Sequence, residues 1–209
     1  AIAILDSEFN TSHAAFTLGE GIPEKLSEDY INAVKSELGF GDEDLYVSKK
    51  IPFAYDYADN DTNVANPSMQ HGSLVAGVAA GNNPQINSAA PNAQLVLMKV
   101  FTDDGYADDN VILTAIDHAV QLGVDAINMS FGSPCGFSLD ENTLAYNNVF
   151  ADARERGILI SCAAGNSGFL GQGNRFNNDM PFAGNTDYGT IASPATTKNS
   201  TTVAAAGNS

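Results

Sequence analysis

The sequence has few cysteines, few basic residues and no long apolar run, and each shortage excludes a class of protein. Its two cysteines, Cys135 and Cys162, are too few for a disulfide framework. Nine Lys and Arg residues stand against 25 Asp and Glu residues, and the net charge of −16 argues against nucleic acid as a partner. No apolar run approaches the roughly 18 residues that a membrane span needs. The sequence therefore excludes a disulfide-stapled scaffold, a nucleic-acid-binding protein and a membrane span.

The composition is that of a packed globular body. Of the 209 residues, 44% are hydrophobic and only 16% are charged, which suits one domain or a large piece of one. Residues 1–5 are apolar but few, and no basic residue precedes them, so they indicate a buried strand rather than a signal peptide. Cys162 lies within another apolar run, and we expect it to be a buried free thiol rather than a bridge partner.

Short apolar runs alternate with amphipathic stretches along the chain, which is typical of βαβ units. The apolar runs are residues 2–5, 94–101, 124–130, 158–162 and 201–205. The predicted helices are residues 71–80, the stretch from Asp108 or Asp109 to Gly123, and the stretch from near Asp140 to Gly157. Residues 12–70 and 166–200 are rich in Gly, Asn, Asp and Pro and predict long surface loops. The pattern favours an α/β fold with a mostly parallel central sheet.

Side chains with useful chemistry follow the predicted strands, at the edge where open parallel sheets hold their sites. Asp6 follows the first strand, Ser130-Phe131-Gly132 the third and Ala163-Ala164-Gly165-Asn166 the fourth, while His71 begins a helix. A carboxylate can orient an imidazole, an imidazole can transfer protons near neutral pH, and an amide can donate to an oxyanion. These are three of the four parts of a serine-hydrolase site.

Several segments resemble motifs of the subtilases, the subtilisin-like serine proteases. They are HGSLVAGVAAG (71–81), similar to the histidine motif; APNAQLVLMKVF (90–101), similar to the strand after it; INMSFGS (127–133), similar to the substrate-binding strand; AAGNSG (163–168), similar to the oxyanion segment; and SPAT (193–196) and TVAAA (202–206). The order Asp, His, Asn is also that of the family. Within the family, KIPFAYDYADND (50–61) resembles the cell-envelope proteinases of Gram-positive bacteria, such as lactocepin and the streptococcal complement-cleaving peptidase.

The resemblance implies a fold and an activity. The fold would be the subtilisin-like three-layer arrangement, with helices on both faces of the sheet. The activity would be hydrolysis of peptide bonds by a secreted endopeptidase, extracellular or held at the cell wall. In that reaction His71 would be the general base, Asp6 would orient it, and Asn166 would donate to the oxyanion.

The resemblance also implies where substrate and ions would bind. A polypeptide substrate would lie extended along one stretch, and a second stretch would form a wall of the specificity pocket. These stretches are Ser130, Phe131 and Gly132, and Ala163, Ala164 and Gly165, respectively. The resemblance makes no cofactor certain, and a structural Ca²⁺ ion is the one candidate. Residues 59–63 and the loop 81–89 are the places considered for it, although Val64 and Gln70 replace the glycine and glutamate of an EF-hand.

Three departures from the family pattern qualify these expectations. The aspartate motif is Asp6-Ser7-Glu8, where the family has Asp-Ser/Thr-Gly, and glutamate lacks the backbone freedom of glycine. Leu74 stands where the family often has a second histidine. The sequence contains no Gly-Thr-Ser-Met-Ala-type segment, which carries the nucleophilic serine in the family.

Residues 1–209 are therefore expected to be an incomplete subtilase domain, inactive alone, with the serine supplied beyond residue 209. In the cell-envelope proteinases a protease-associated domain is inserted between the oxyanion segment and the serine, and one is expected near the end of this chain. The alternative is a catalytically inactive pseudoprotease or a surface binding module, which Glu8 and the missing serine motif favour. The residues that follow Ser209 in the natural polypeptide discriminate between the two.

Overall fold

A computed structural model describes residues 1–133, 141–166 and 191–205. Strands alternate with helices through most of these ranges, as the sequence pattern predicts. In chain order the elements are β1 (Ile2–Asp6), α1 (Glu28–Val34), β2 (Phe53–Asp56), α2 (His71–Ala80), β3 (Asn82–Asn83), β4 (Ile86–Asn87), β5 (Leu95–Lys99), α3 (Asp109–Leu122), β6 (Ala126–Met129), α4 (Glu141–Glu155), β7 (Leu159–Ala163) and β8 (Thr201–Val203). The chain divides into two compact units, Ala1–Asn128 and Met129–Ser209.

The first unit is built on a parallel sheet with the strand order β2-β5-β1-β6. β1 pairs in parallel with β5 in a register that places Ile4 opposite Leu97, and β2 pairs in parallel with β5, with Ala54 opposite Leu97. Every residue of β2 and β5 is buried, as in parallel strands that are covered on both faces. The predicted α/β class with a mostly parallel sheet is confirmed.

Both faces of this sheet are covered. Ala76 and Ala80 of α2 belong to the same buried cluster as Ile4 of β1. Ala3 and Leu5 point to the opposite face, because side chains alternate along a strand, and both are fully buried. α3 also contacts β1. The side chains that α3 buries are Ile112, Ala115, Ile116, Ala119, Val120 and Leu122.

The ends of α3 match the signals in the sequence. The carboxylate of Asp108, at the N-cap, accepts a hydrogen bond of 2.8 Å from the N–H of Asn110. Gly123 ends the helix in the left-handed conformation, with a φ of 72°, which glycine adopts without strain. No helix within residues 1–133, 141–166 and 191–205 combines the length and the apolar character that a membrane span requires.

The stretch 12–70 contains a helix and a core strand, so the prediction of one long loop is wrong there. α1 begins after Ser27, whose hydroxyl accepts a hydrogen bond from the N–H of Tyr30, and it buries only Ile31. β2 is four residues long, and all four are buried. Elements this short contain too few residues to show a clear period in the sequence.

The second unit contains α4, β7 and β8. β7 pairs in parallel with β8, with Cys162 opposite Thr202, and α4, the helix predicted before Gly157, contacts β7. Cys162 is a buried free cysteine, as predicted, and burial raises the pKa of its thiol to about 12. Cys135 and residues 167–190 of the predicted second loop lie outside the described residues.

Candidate active site

Asp6 and His71 meet at one edge of the sheet in the first unit. Asp6 is the last residue of β1, and His71 is the first residue of α2. Nδ1 of His71 lies 2.7 Å from Oδ1 of Asp6. The side chain of Asp6 is buried, whereas that of His71 is 57% exposed. The imidazole therefore contacts a buried carboxylate on one side and solvent on the other.

Burial controls the chemistry of Asp6. Desolvation raises the pKa of Asp6, against the lowering effect of its hydrogen bonds to His71 and Ser7. Oδ1 accepts the N–H of Ser7 at 2.8 Å, whereas Oδ2 is buried and accepts no hydrogen bond from any residue that the structure describes. Because Asp6 is the acceptor, neutral His71 carries its proton on Nδ1, and Nε2 is the nitrogen that can take a proton from a substrate or nucleophile.

Glu8 stands in place of the expected glycine without disturbing this pair. Its side chain is buried, and Oε1 accepts the backbone N–H of Ser73 at 3.3 Å. Oε2 accepts the hydroxyl of Ser7 at 2.6 Å. Ser73 lies in the first turn of α2, where backbone N–H groups have no partner within the helix. The carboxylate therefore caps the helix that carries His71.

Gly72 allows α2 to approach the strand that carries Asp6. A Cβ atom at position 72 would lie 2.3 Å from the backbone oxygen of Glu8 and 3.0 Å from the Cβ of Asp6. The first contact is with the backbone, which cannot move aside as a flexible side chain would. The distance between His71 and Asp6 therefore depends on the absence of a side chain at the next position.

We expect Gly72→Ala to lower the free energy of unfolding by about 1–3 kcal/mol, the usual cost of overpacking a tight contact. Gly77→Ala in the same helix is the matched control, because nothing lies within 4 Å of a Cβ at that position. Replacing glycine by alanine in a helix without such a contact is expected to stabilise by about 0.5–1 kcal/mol. Urea unfolding followed by circular dichroism measures both. Equal effects of the two variants would contradict the close approach at Gly72.

An exposed apolar surface lies beside His71 in the first unit. Leu74 and Val78, on the outer side of α2, are 66% and 70% exposed. Both line a cavity of about 630 Å³, together with Phe9, Phe16 and Met69. Contiguous exposed apolar side chains of this kind are uncommon on soluble proteins and mark a surface that binds another segment or molecule.

In the second unit, one short segment joins the two stretches predicted to bind substrate. Ser133, directly after Ser130-Phe131-Gly132, exchanges two backbone hydrogen bonds of 2.9 Å with Ser193. The N–H of Ala192 donates to the carbonyl oxygen of Ala164 at 2.9 Å. The roles predicted from the sequence do not include Ala192 and Ser193. The SPAT motif that begins at Ser193 is the signal that marks this segment.

Two glycines let this segment approach. A Cβ on Gly132 would lie 2.7 Å from the backbone oxygen of Ser193, and a Cβ on Gly165 would lie 3.0 Å from the Cβ of Ala192. Gly165 also has a φ of 97°, in the region that favours glycine. Asn166 follows at an exposed bend. The two predicted stretches are thus held together within the second unit, with Asn166 directly after one of them.

The stretch 59–63, one of the two candidate calcium sites, forms an ion pair with Lys99. The carboxylate of Asp59 lies 3.1 Å from Nζ of Lys99, which is buried and also pairs with Asp56 and Asp103. Burial acts to lower the pKa of Lys99, but these carboxylates together raise it above its ordinary value and keep the lysine charged in the interior. The loop 81–89 forms the β3–β4 hairpin. Within the described ranges, no group of three or more His, Cys, Asp or Glu side chains is arranged to hold a metal ion.

A buried carboxylate bonded to an exposed imidazole, at the end of a strand in a parallel sheet, is the arrangement that the acid–base part of a serine-hydrolase centre requires. The comparisons with known proteins agree with this class. The chain belongs to the subtilase family, whose sequence model matches residues 1–209. The family membership predicted from the sequence motifs is confirmed.

The chain is similar to large bacterial proteinases. It is 30% identical to the PI-type proteinase of Lactococcus lactis subsp. cremoris, over 99% of this chain and 11% of that protein. It is 31% identical to the C5a peptidase of Streptococcus pyogenes serotype M6, over 97% of this chain and 17% of that protein. The chain thus spans less than a fifth of either relative.

A solved structure confirms the fold. The S41 psychrophilic protease is 27% identical, with a TM-score of 0.61, over 98% of this chain and 52% of that one. The subtilisin-like α/β fold expected from the resemblance is therefore present. The relatives support a peptidase as the coarse function.

Proposed function

We propose that this domain forms part of a serine endopeptidase, with His71 as general base and Asp6 as the residue that orients it. The observation that carries the proposal is the 2.7 Å hydrogen bond between His71 Nδ1 and the buried carboxylate of Asp6. Asp6 stabilises the imidazolium that forms when Nε2 takes the proton of the attacking hydroxyl. The imidazole later returns that proton to the leaving amine.

The nucleophile of this proposal is a serine located beyond residue 209, since the sequence contains no Gly-Thr-Ser-Met-Ala-type segment. The exposed surface of Leu74 and Val78 supports this assignment, because it adjoins His71 and has the apolar character of a surface made to be covered. We propose that the polypeptide carrying the serine packs on this surface. Residues 1–209 would then be the N-terminal and central part of the catalytic domain, with a protease-associated domain inserted between the oxyanion segment and the serine.

The substrate of this proposal is a polypeptide that lies extended along Ser130, Phe131 and Gly132 and pairs with them as an added strand. Ala163, Ala164 and Gly165 would form a wall of the specificity pocket, and Asn166 would donate its amide to the oxyanion. The backbone hydrogen bonds of Ala192 and Ser193, which link the two stretches, support this arrangement. The names of the relatives, proteinases and a C5a peptidase, support a polypeptide substrate.

We place the protein outside the cell or at the cell wall, by similarity to the lactococcal and streptococcal proteinases. The alternative of a pseudoprotease or binding module rested partly on Glu8. That argument weakens, because Glu8 caps α2 while Asp6 and His71 keep their hydrogen bond. Its other argument, the missing serine motif, is decided by the natural polypeptide beyond Ser209.

A fluorophosphonate probe tests the proposal, because it labels only a serine that an adjacent base activates. In the natural polypeptide that contains residues 1–209, we expect covalent labelling of one serine beyond residue 209, located by mass spectrometry. In the 209-residue chain alone we expect no labelled serine. Labelling of any serine within residues 1–209 would overturn the location of the nucleophile. An unlabelled but folded natural polypeptide would support the binding-module alternative.

A further inference from the structure

Two buried carboxylates compete for one hydroxyl proton beside the Asp6–His71 pair. The hydroxyl oxygen of Ser7 lies 2.6 Å from Oε2 of Glu8 and 3.2 Å from Oδ1 of Asp6. Asp6 and Glu8 are each 2% exposed, and Ser7 is 8% exposed. A hydroxyl has one proton to donate, so it can serve only one of the two carboxylates at a time. The shorter distance favours Glu8 as its acceptor.

We propose that Glu8 is a positioning residue that draws the Ser7 hydroxyl away from Asp6 and so strengthens the hydrogen bond from His71 to Asp6. The inference rests on the proposed function and assigns a role to a residue that the family motif does not contain. When a carboxylate accepts fewer hydrogen bonds, each remaining donor interacts with more of its negative charge, and the remaining hydrogen bonds become stronger. With the Ser7 hydroxyl turned to Glu8, Asp6 Oδ1 keeps the Ser7 N–H and the imidazole as its donors.

The surroundings of Glu8 suit a hydrogen-bond acceptor. Its Oε1 faces the N–H of Ser73 in the first turn of α2, where the helix dipole favours a negative charge. Gln70, the N-cap of α2, makes no side-chain capping bond, so the glutamate supplies the cap from another segment. The backbone oxygen of Glu8 also abuts Gly72, which fixes residue 8 relative to His71. One carboxylate oxygen of Glu8 thus contacts the helix that carries His71, and the other contacts Ser7, the residue after Asp6.

Glu8→Gln separates the two roles of this side chain. The glutamine can still accept the N–H of Ser73 through its oxygen, so the cap survives. Its amide nitrogen is a donor, and it would bond the Ser7 oxygen instead of accepting from it. The Ser7 proton would then turn to Asp6 Oδ1, and the hydrogen bond from His71 to Asp6 would weaken.

The Nδ1 proton resonance of His71 reports on this bond without any need for turnover. The chain contains three histidines, so ¹⁵N-histidine labelling and a His71→Ala reference assign the signal. We expect an upfield shift of the His71 Nδ1–H in Glu8→Gln. In the Ser7→Ala background the hydroxyl is gone, and Glu8→Gln is expected to leave the resonance unchanged. Ser7→Thr retains a hydroxyl and is expected to restore the response to Glu8→Gln.

The outcomes distinguish a positioning role from a structural one. If Glu8→Gln shifts the resonance equally with and without the Ser7 hydroxyl, Glu8 acts only as a helix cap, and the proposal is wrong. No shift in either background also overturns it. Amide spectra and melting temperatures establish that each variant is folded. Ser7→Gly also lacks the hydroxyl and supplies the comparison if Ser7→Ala does not fold. Failure of the proposed function would appear elsewhere, as retained peptidase activity when His71 is removed.

Discussion

Replacing His71 with alanine in the natural polypeptide is expected to lower kcat by about 10⁶-fold, the loss known for removal of the histidine of a subtilisin. The reason is the proposed chemistry, since without Nε2 no group removes the proton of the attacking serine. The KM should change little, because the proposed role of the histidine is proton transfer in the chemical step. Steady-state kinetics on a fluorogenic peptide measure both constants. Folding should survive, because the side chain of His71 is 57% exposed.

His118→Ala is the matched control for this variant. His118 lies in α3, and its Nδ1 is 3.1 Å from the hydroxyl of Tyr57. Its loss should lower the melting temperature and leave kcat per folded molecule within about twofold of the parent, since it lines no part of the cavity beside α2. A His71→Ala enzyme that keeps a tenth or more of its turnover would remove the basis of the proposed function.

The second large effect is expected for Asn166→Leu, again in the natural polypeptide. Leucine has a similar size but no donor, so kcat should fall by about 10²–10³-fold, the range known for the oxyanion asparagine of a subtilisin. The KM should change little, because the amide acts where charge develops in the transition state. Kinetics and melting temperature are measured on the same preparation.

Asn60→Leu is the control, because Asn60 is an asparagine whose role is to form a turn. Asn60 lies in the first unit with a φ of 58°, a conformation that asparagine tolerates and leucine resists. Its replacement should lower the melting temperature and leave kcat per folded molecule unchanged. If Asn166→Leu shows that same pattern, Asn166 is a turn residue, and the oxyanion assignment is wrong.

The sequence predicts most of the sheet because strands that are buried on both faces leave continuous apolar runs, such as residues 95–98. It predicts α3 because Asp108 and Gly123 mark its two ends. It does not reveal β2, whose four residues are too few to show a period. A longer strand can be predicted from the hydrophobic pattern of its own residues. The position of β2 in the core depends instead on its pairing with β5, which the sequence of β2 does not show.

The candidate site follows the same division. Asp6 and His71 are predictable, because each adjoins a recognisable element and the sheet edge brings them together. The role of Glu8 is not, because it depends on where the N-terminus of α2 comes to lie after the chain has folded. The contact of Ala192 with Gly132 and Gly165 is also not predictable, because nothing in the sequence of a loop shows which distant residues pack against a small side chain. The roles of Asn166 and of the substrate stretches stay predictions.

The parallel register of β1 with β5 also sets the order of events during synthesis. Ile2 pairs with Leu95 and Asp6 with Lys99, so the first strand has no partner until the ribosome has made most of the first unit. At translation rates of about 5–20 residues per second, this wait lasts roughly 5–20 s. During that time an apolar strand with unpaired backbone groups is exposed to other nascent chains. The hydrogen bond between Asp6 and His71 can therefore form only after a long-range, slow pairing step, well after the codon of His71 has been read.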